Sequence, residues 1–148
     1  MRFFFVFLFI SVCSCLEQDD IAFTSDQLSQ LLSSDSAKCW VLTNRITDNN
    51  SDIMDCEKDD MLTFINPLVT QDTNIVFRTG PIFCPGQTDS LIYGGTWQTI
   101  DTSNHQLLMV IIDGDSTINI IDNITSQYFT MTYQDDGRTV TEDYVANQ

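Results

Sequence analysis

At 148 residues, the chain has room for one domain, and its six Lys+Arg against 21 Asp+Glu give a formal net charge of -15. Such a balance works against nucleic acid, anionic lipid headgroups and polyphosphates as partners. A hydrophobic content of 43% is ordinary for a globular domain, although the first nine residues hold five of the ten Phe.

Residues 1–14 read as an export signal. Arg2 is followed by an apolar run that is too short to cross a hydrocarbon core of roughly 30 Å as a helix. The run ends Val12-Cys13-Ser14-Cys15, which resembles a bacterial lipobox, with Ser14 in the small position before the Cys that receives diacylglycerol through its sulfur. Cys15 is therefore the expected lipid anchor. The alternative is cleavage by ordinary signal peptidase with no lipid added. Residues 15–25 form an acidic tether that opens Leu16-Glu17-Gln18-Asp19-Asp20. The expected location is the bacterial outer membrane, at either the cell surface or the periplasmic face.

The domain is expected over 26–148. It begins with a short helix over 27–32, capped by Ser25 or Asp26, with Leu28, Leu31 and Leu32 on one face. From Lys38 the period changes to two. Trp40 and Leu42 share one face, and Val41 and Thr43 the other, through Ile46. A polar loop, 47–52, follows. Further strands are expected at 61–65, 74–79, 91–100, 106–112, 117–121, 127–133 and 138–145. Gly94-Gly95 suggests a bulge or a close backbone approach. The apolar run 106–112 suits a strand covered on both faces. Asp113-Gly114 and Asp135-Asp136-Gly137 read as hairpin turns. About eight strands joined mostly by short turns make an all-β, up-and-down antiparallel barrel with a short N-terminal helix.

One stretch carries a resemblance. Cys56-Glu57-Lys58-Asp59-Asp60 runs into the alternating Met61-Leu62-Thr63-Phe64. It is preceded by the Trp40 strand and followed by Cys84, in Ile82-Phe83-Cys84-Pro85-Gly86, and then by Gly94-Gly95-Thr96-Trp97. That order of features, over 27–144, resembles the bacterial lipocalin-like domain family of small lipid-anchored barrels. The resemblance implies a barrel closed at one end by the helix, and a small apolar ligand as the expected cargo.

Cys56 and Cys84 lie at strand ends beside loops. Export implies an oxidising compartment, so the two are expected to pair, which would stabilise the fold by about 3.5 kcal/mol. Cys39, inside a strand, is expected to stay a free thiol. The three cysteines lack CxxC spacing and a neighbouring His, so no metal site is expected from them. His105, the single histidine, follows the turn residues 101–104, and no Gly-x-Ser-x-Gly setting occurs. Asp48, Asn50 and Asp52 have the oxygen spacing that opens a calcium loop, but Ile53 stands where an EF-hand needs Gly. Asp59 and Asp60 point to opposite faces, which disfavours joint catalysis and suits carboxylates that accept backbone amides. No catalytic residue, cofactor or metal is expected.

Trp40, Phe64, Phe77, Trp97, Phe129 and Tyr133 alternate along separate strands and form the candidate ligand-binding set. An eight-stranded barrel can be filled by such side chains or can hold one small ligand. Two functions follow: a monomeric, non-enzymatic envelope lipoprotein that binds a small apolar molecule, or a structural accessory protein with a solid core that acts through its acidic surface. A pocket distinguishes the first and a filled barrel the second. The anchor is tested by feeding cells an alkyne fatty acid. Wild type should take the label and Cys15→Ala should not; equal labelling of both, or none of wild type, would contradict the anchor.

Overall fold

The computed structural model describes residues 23–70, 72–102 and 106–147, so Cys15, residues 1–22 and His105 lie outside the described residues. Helix α1 spans Ser25–Ser33. Its cap is Thr24, one residue before the expected Ser25 or Asp26. The Thr24 hydroxyl accepts from the Gln27 amide (3.3 Å), and Gln27 Oε1 accepts from the Thr24 amide (3.0 Å). Three residues beyond Ser25 and Asp26 stand Leu28 and Ser29, which have no Gln or Glu side chain to return that second bond.

Nine strands follow: β1 (Ala37–Thr47), β2 (Asn50–Ser51), β3 (Met61–Ile65), β4 (Ile75–Arg78), β5 (Leu91–Asp101), β6 (Gln106–Ile112), β7 (Asp115–Ile124), β8 (Tyr128–Asp135) and β9 (Arg138–Ala146). From β3 onward each pairs antiparallel with the next, and β1 pairs with both β3 and β9. The eight long strands therefore close into a lipocalin-like antiparallel barrel, and closure removes exposed sheet edges. β2 is a short flap on β1, formed within the segment expected as a polar loop. Asp48 and Asn49 at φ 48° and 67° make its two-residue turn, a conformation that short polar side chains tolerate. The Asp113-Gly114 and Asp136-Gly137 turns have the same double positive φ.

Alternation along β1 breaks at Thr43, where the register with β9 slips between Leu42 and Asn44. The bulge reverses the parity beyond it, so Arg45 and Thr47 continue the inward row begun by Trp40 and Leu42. The expected uniform alternation through Ile46 thus holds only as far as the bulge. In β5 the close backbone approach is at Gly95, where a Cβ would overlap the Ile111 carbonyl, and the bulge is at Ile92. β6 departs from expectation as well. Leu108 and Val110 are buried inside, but Leu107, Met109 and Ile111 are only half-buried outside. No described element lies over them. Their cover comes from cross-strand neighbours: Leu107 sits between Ile100 and Ile120, and Met109 beside Ile118.

The barrel's two ends differ. At one, α1 plugs the opening with Leu28 and Leu32, both buried against the core. Lys38 Nζ donates to the Leu31 carbonyl (3.2 Å) and Trp40 Nε1 to the Leu32 carbonyl (2.8 Å), so β1 satisfies acceptors that the helix's last turn leaves open. Trp40 meets Phe129 edge-on at 4.8 Å, and Phe64 meets Trp97 edge-on at 5.2 Å. This end is solid. Trp40→Ala should cost about 3–5 kcal/mol in denaturant unfolding, because the void cannot collapse. Trp40→Phe should cost about 1 kcal/mol through the lost indole bond. A loss for Trp40→Ala below about 1 kcal/mol would contradict the solid packing.

Candidate functional site

The other half of the barrel is hollow. A cavity of about 230 Å³ lies between Leu62 and Phe64 of β3, Ile75 and Phe77 of β4, Tyr93 of β5, and the inward residues of β6 to β9. Inward-facing Thr117 is exposed and Ile112 half-buried, which marks the mouth at the end away from α1. Most of the wall is apolar. Its polar edge is Arg45, Glu142, Tyr133 and Tyr144, with Asn119 across the cavity.

Of the six aromatics expected to touch a ligand, Phe64, Phe77 and Tyr133 line this cavity. Trp40, Trp97 and Phe129 also point inward but lie deeper, in the filled half. Trp97 Nε1 donates to the Ile65 carbonyl (3.0 Å), which fixes the indole beneath the helix end.

The polar edge was not singled out in the sequence. Arg45 Nε donates to Glu142 Oε1 and its Nη1 to Glu57 Oε1, each at 2.8 Å. Glu142 Oε2 accepts from the Tyr144 hydroxyl (2.7 Å). Burial works against the Arg45 charge, but the bonds from Glu142 and Glu57 outweigh it and hold the guanidinium's pKa above its ordinary value. Burial, and after it the Glu142 carboxylate, push the Tyr93, Tyr133 and Tyr144 phenols above their ordinary pKa, so they remain protonated. One sign of this cluster was present in the sequence. Glu142 shares strand parity with Val140 and Tyr144, which places a charge in an apolar row. Arg45 carried no such sign, because the Thr43 bulge puts it out of phase with Trp40.

The Cys-x-x-Asp-Asp stretch fastens the mouth. Cys56 and Cys84 are bonded, with a Cα–Cα distance of 5.2 Å, which ties the β2–β3 segment to the β4–β5 loop. Cys39 is the free thiol among the described residues. Asp60 Oδ1 accepts from the Gly80 amide and Asp59 Oδ2 from the Ile82 amide, both at 3.0 Å. Both carboxylates thus accept backbone amides, but from the opposite loop instead of their own turn. Asp48 Oδ1 accepts from the Thr139 amide (3.0 Å), and among the described residues no group of three or more His, Cys, Asp or Glu is placed to hold a metal.

No family model matches the chain, and none of the curated proteins or solved structures gives a match.

Asp60 supplies a pH test. Burial raises its pKa, the Gly80 bond lowers it, and the charges of Asp59 and Glu57 raise it further, for a net rise. A carboxyl raised in the folded state binds its proton more tightly there. Its ionisation cost is then fully present above the raised pKa and relieved as pH falls through it towards the unfolded value of about 3.9. Asp60→Asn keeps an oxygen for Gly80 and removes the charge. It should be at least as stable as wild type at pH 7, and its advantage should shrink as pH falls to about 4. Asp60→Ala, which strands the Gly80 amide, should cost about 1–3 kcal/mol. An Asp60→Asn advantage that grew on acidification would contradict the assignment.

Proposed function

We propose that this protein is a non-enzymatic lipoprotein of the bacterial envelope, akin to the lipocalin-like domain family, that carries a small, largely apolar molecule in the hollow half of its barrel. The observation that carries the reading is the cavity of about 230 Å³ beside a fully packed floor. Evenly filled barrels have no such division, and a mostly apolar concave site edged by a few fixed polar groups is the usual form of a small-molecule site. The envelope location rests on the Val12-Cys13-Ser14-Cys15 sequence and its acidic tether. The proposed attachment is the lipid on Cys15. A purely structural role has less support, because a barrel acting only through its acidic surface has no need of a hollow interior.

The test is titration with a small apolar fluorophore of naphthalene size. Wild type should bind it saturably. Thr117→Trp, which narrows the mouth from an exposed inward position, should abolish that binding while leaving denaturant stability unchanged. A wild type with no saturable binding would overturn the carrier reading in favour of the structural one.

A further inference from the structure

The charge arrangement around the hollow half narrows the class of ligand. Arg45 is the single Lys or Arg among the residues lining the cavity, and it is held by two carboxylates at 2.8 Å. The Arg45, Glu57 and Glu142 cluster therefore carries one net negative charge. An anionic headgroup would have to take Arg45 from both partners and leave buried Glu142 without its counter-charge, which is a costly exchange. An ionised carboxylate offers about four acceptor positions. Arg45 takes one of those on Glu142 Oε1 and Tyr144 one on Oε2, so this cavity-lining carboxylate keeps acceptor capacity for a further donor.

Two further observations point the same way. Phe77 and Tyr93 stack at 5.2 Å along the wall, and Tyr133 stands on another strand of the same cavity. The faces of such rings carry negative potential and attract cations. The turns at the open end add exposed Asp48, Asp113, Asp115, Asp135 and Asp136, where the basic groups are Arg78 at the end of β4, Lys58, which is paired with Asp55 at 2.7 Å, and Arg138, which is within 3.6 Å of Asp135. A mouth with an excess of one sign of charge concentrates ions of the other.

We infer that the cavity selects a small organic cation: an ammonium group on an apolar body of about ten non-hydrogen atoms, the size that fills this volume at organic-liquid density. The ammonium sits between the Tyr93 and Tyr133 rings and an unfilled acceptor position of Glu142, and the apolar body lies against Leu62, Val110 and Met131. The inference deepens the carrier reading and rests on it.

Three matched compounds test it by calorimetry on the purified protein: 2-phenylethylammonium, 2-phenylethanol and 3-phenylpropanoate. The ammonium should bind about tenfold more tightly than the alcohol, and the carboxylate more weakly than either. Raising salt should weaken the ammonium and leave the alcohol unchanged. Glu142→Gln should bring the ammonium down to the alcohol's affinity; Glu57→Gln, at the more exposed partner of Arg45, should act in the same direction if the first variant does not fold. An alcohol that binds as tightly as the ammonium, or a carboxylate that binds more tightly than the alcohol, would overturn the cation preference while leaving the carrier reading in place. Binding by none of the three, nor by the neutral fluorophore, would overturn the carrier reading and this inference with it.

Discussion

The barrel closes where its first strand meets its last, and the Arg45–Glu142 pair stands on that seam. The two residues are direct cross-strand partners of β1 and β9. Both side chains turn into the barrel, where Glu142 is 4% exposed. A charge this deep is tolerable only when paired and hydrogen-bonded, so each residue requires the other, and Tyr144 and Glu57 complete the set. Glu57 lies on the segment between β2 and β3. The same guanidinium therefore couples the seam to the loop that the Cys56–Cys84 bridge fastens. The closing seam, the loops at the mouth and the polar edge of the cavity meet at one cluster.

The hollow follows from where bulk is placed. Towards α1, the inward positions hold Trp40, Trp97, Phe64 and Phe129, and the helix adds two leucines, so space is filled and its polar atoms are paired with carbonyls. Towards the mouth Phe77, Tyr93 and Tyr133 stand at the wall, but β6 and β7 turn inward the smaller or more polar Val110, Thr117 and Asn119, with Arg45 and Glu142 drawn to each other at one side. Indoles and phenyl rings packed under the helix at one end and side chains tied to one another at the other leave a gap between them. The amphipathic character of that gap, apolar on most sides and acidic at one, is what gives the proposed carrier a chemical preference.

Much of the fold was legible because it depends on local rules. β3 and β6 have the expected limits, since alternation and flanking turn residues define them. The Asp-Gly turns and the strand-end cysteines were legible for the same reason. The division into a solid and a hollow half was not, because it depends on which end the helix covers. Nor was Arg45: a single bulged residue, Thr43, reverses the face of everything after it, and no residue type at that position announces a bulge. The helix cap was displaced by one residue because a capping box is a property of two positions, and only Thr24 has a Gln in the right place. The apolar outer side of β6 looked like two-sided burial because cross-strand cover and cover by another layer leave the same composition.

The central claim is that the seam pair acts as a unit. A double-mutant cycle in denaturant unfolding, with Arg45→Met, Glu142→Leu and the two together, measures this directly. The account predicts that Arg45→Met leaves the buried Glu142 charge uncompensated, that Glu142→Leu leaves Arg45 with Glu57 alone, and that the double variant is more stable than the sum of the two losses implies by on the order of 2 kcal/mol. Additivity within about 0.5 kcal/mol would mean that the two side chains contribute independently, and would contradict the account.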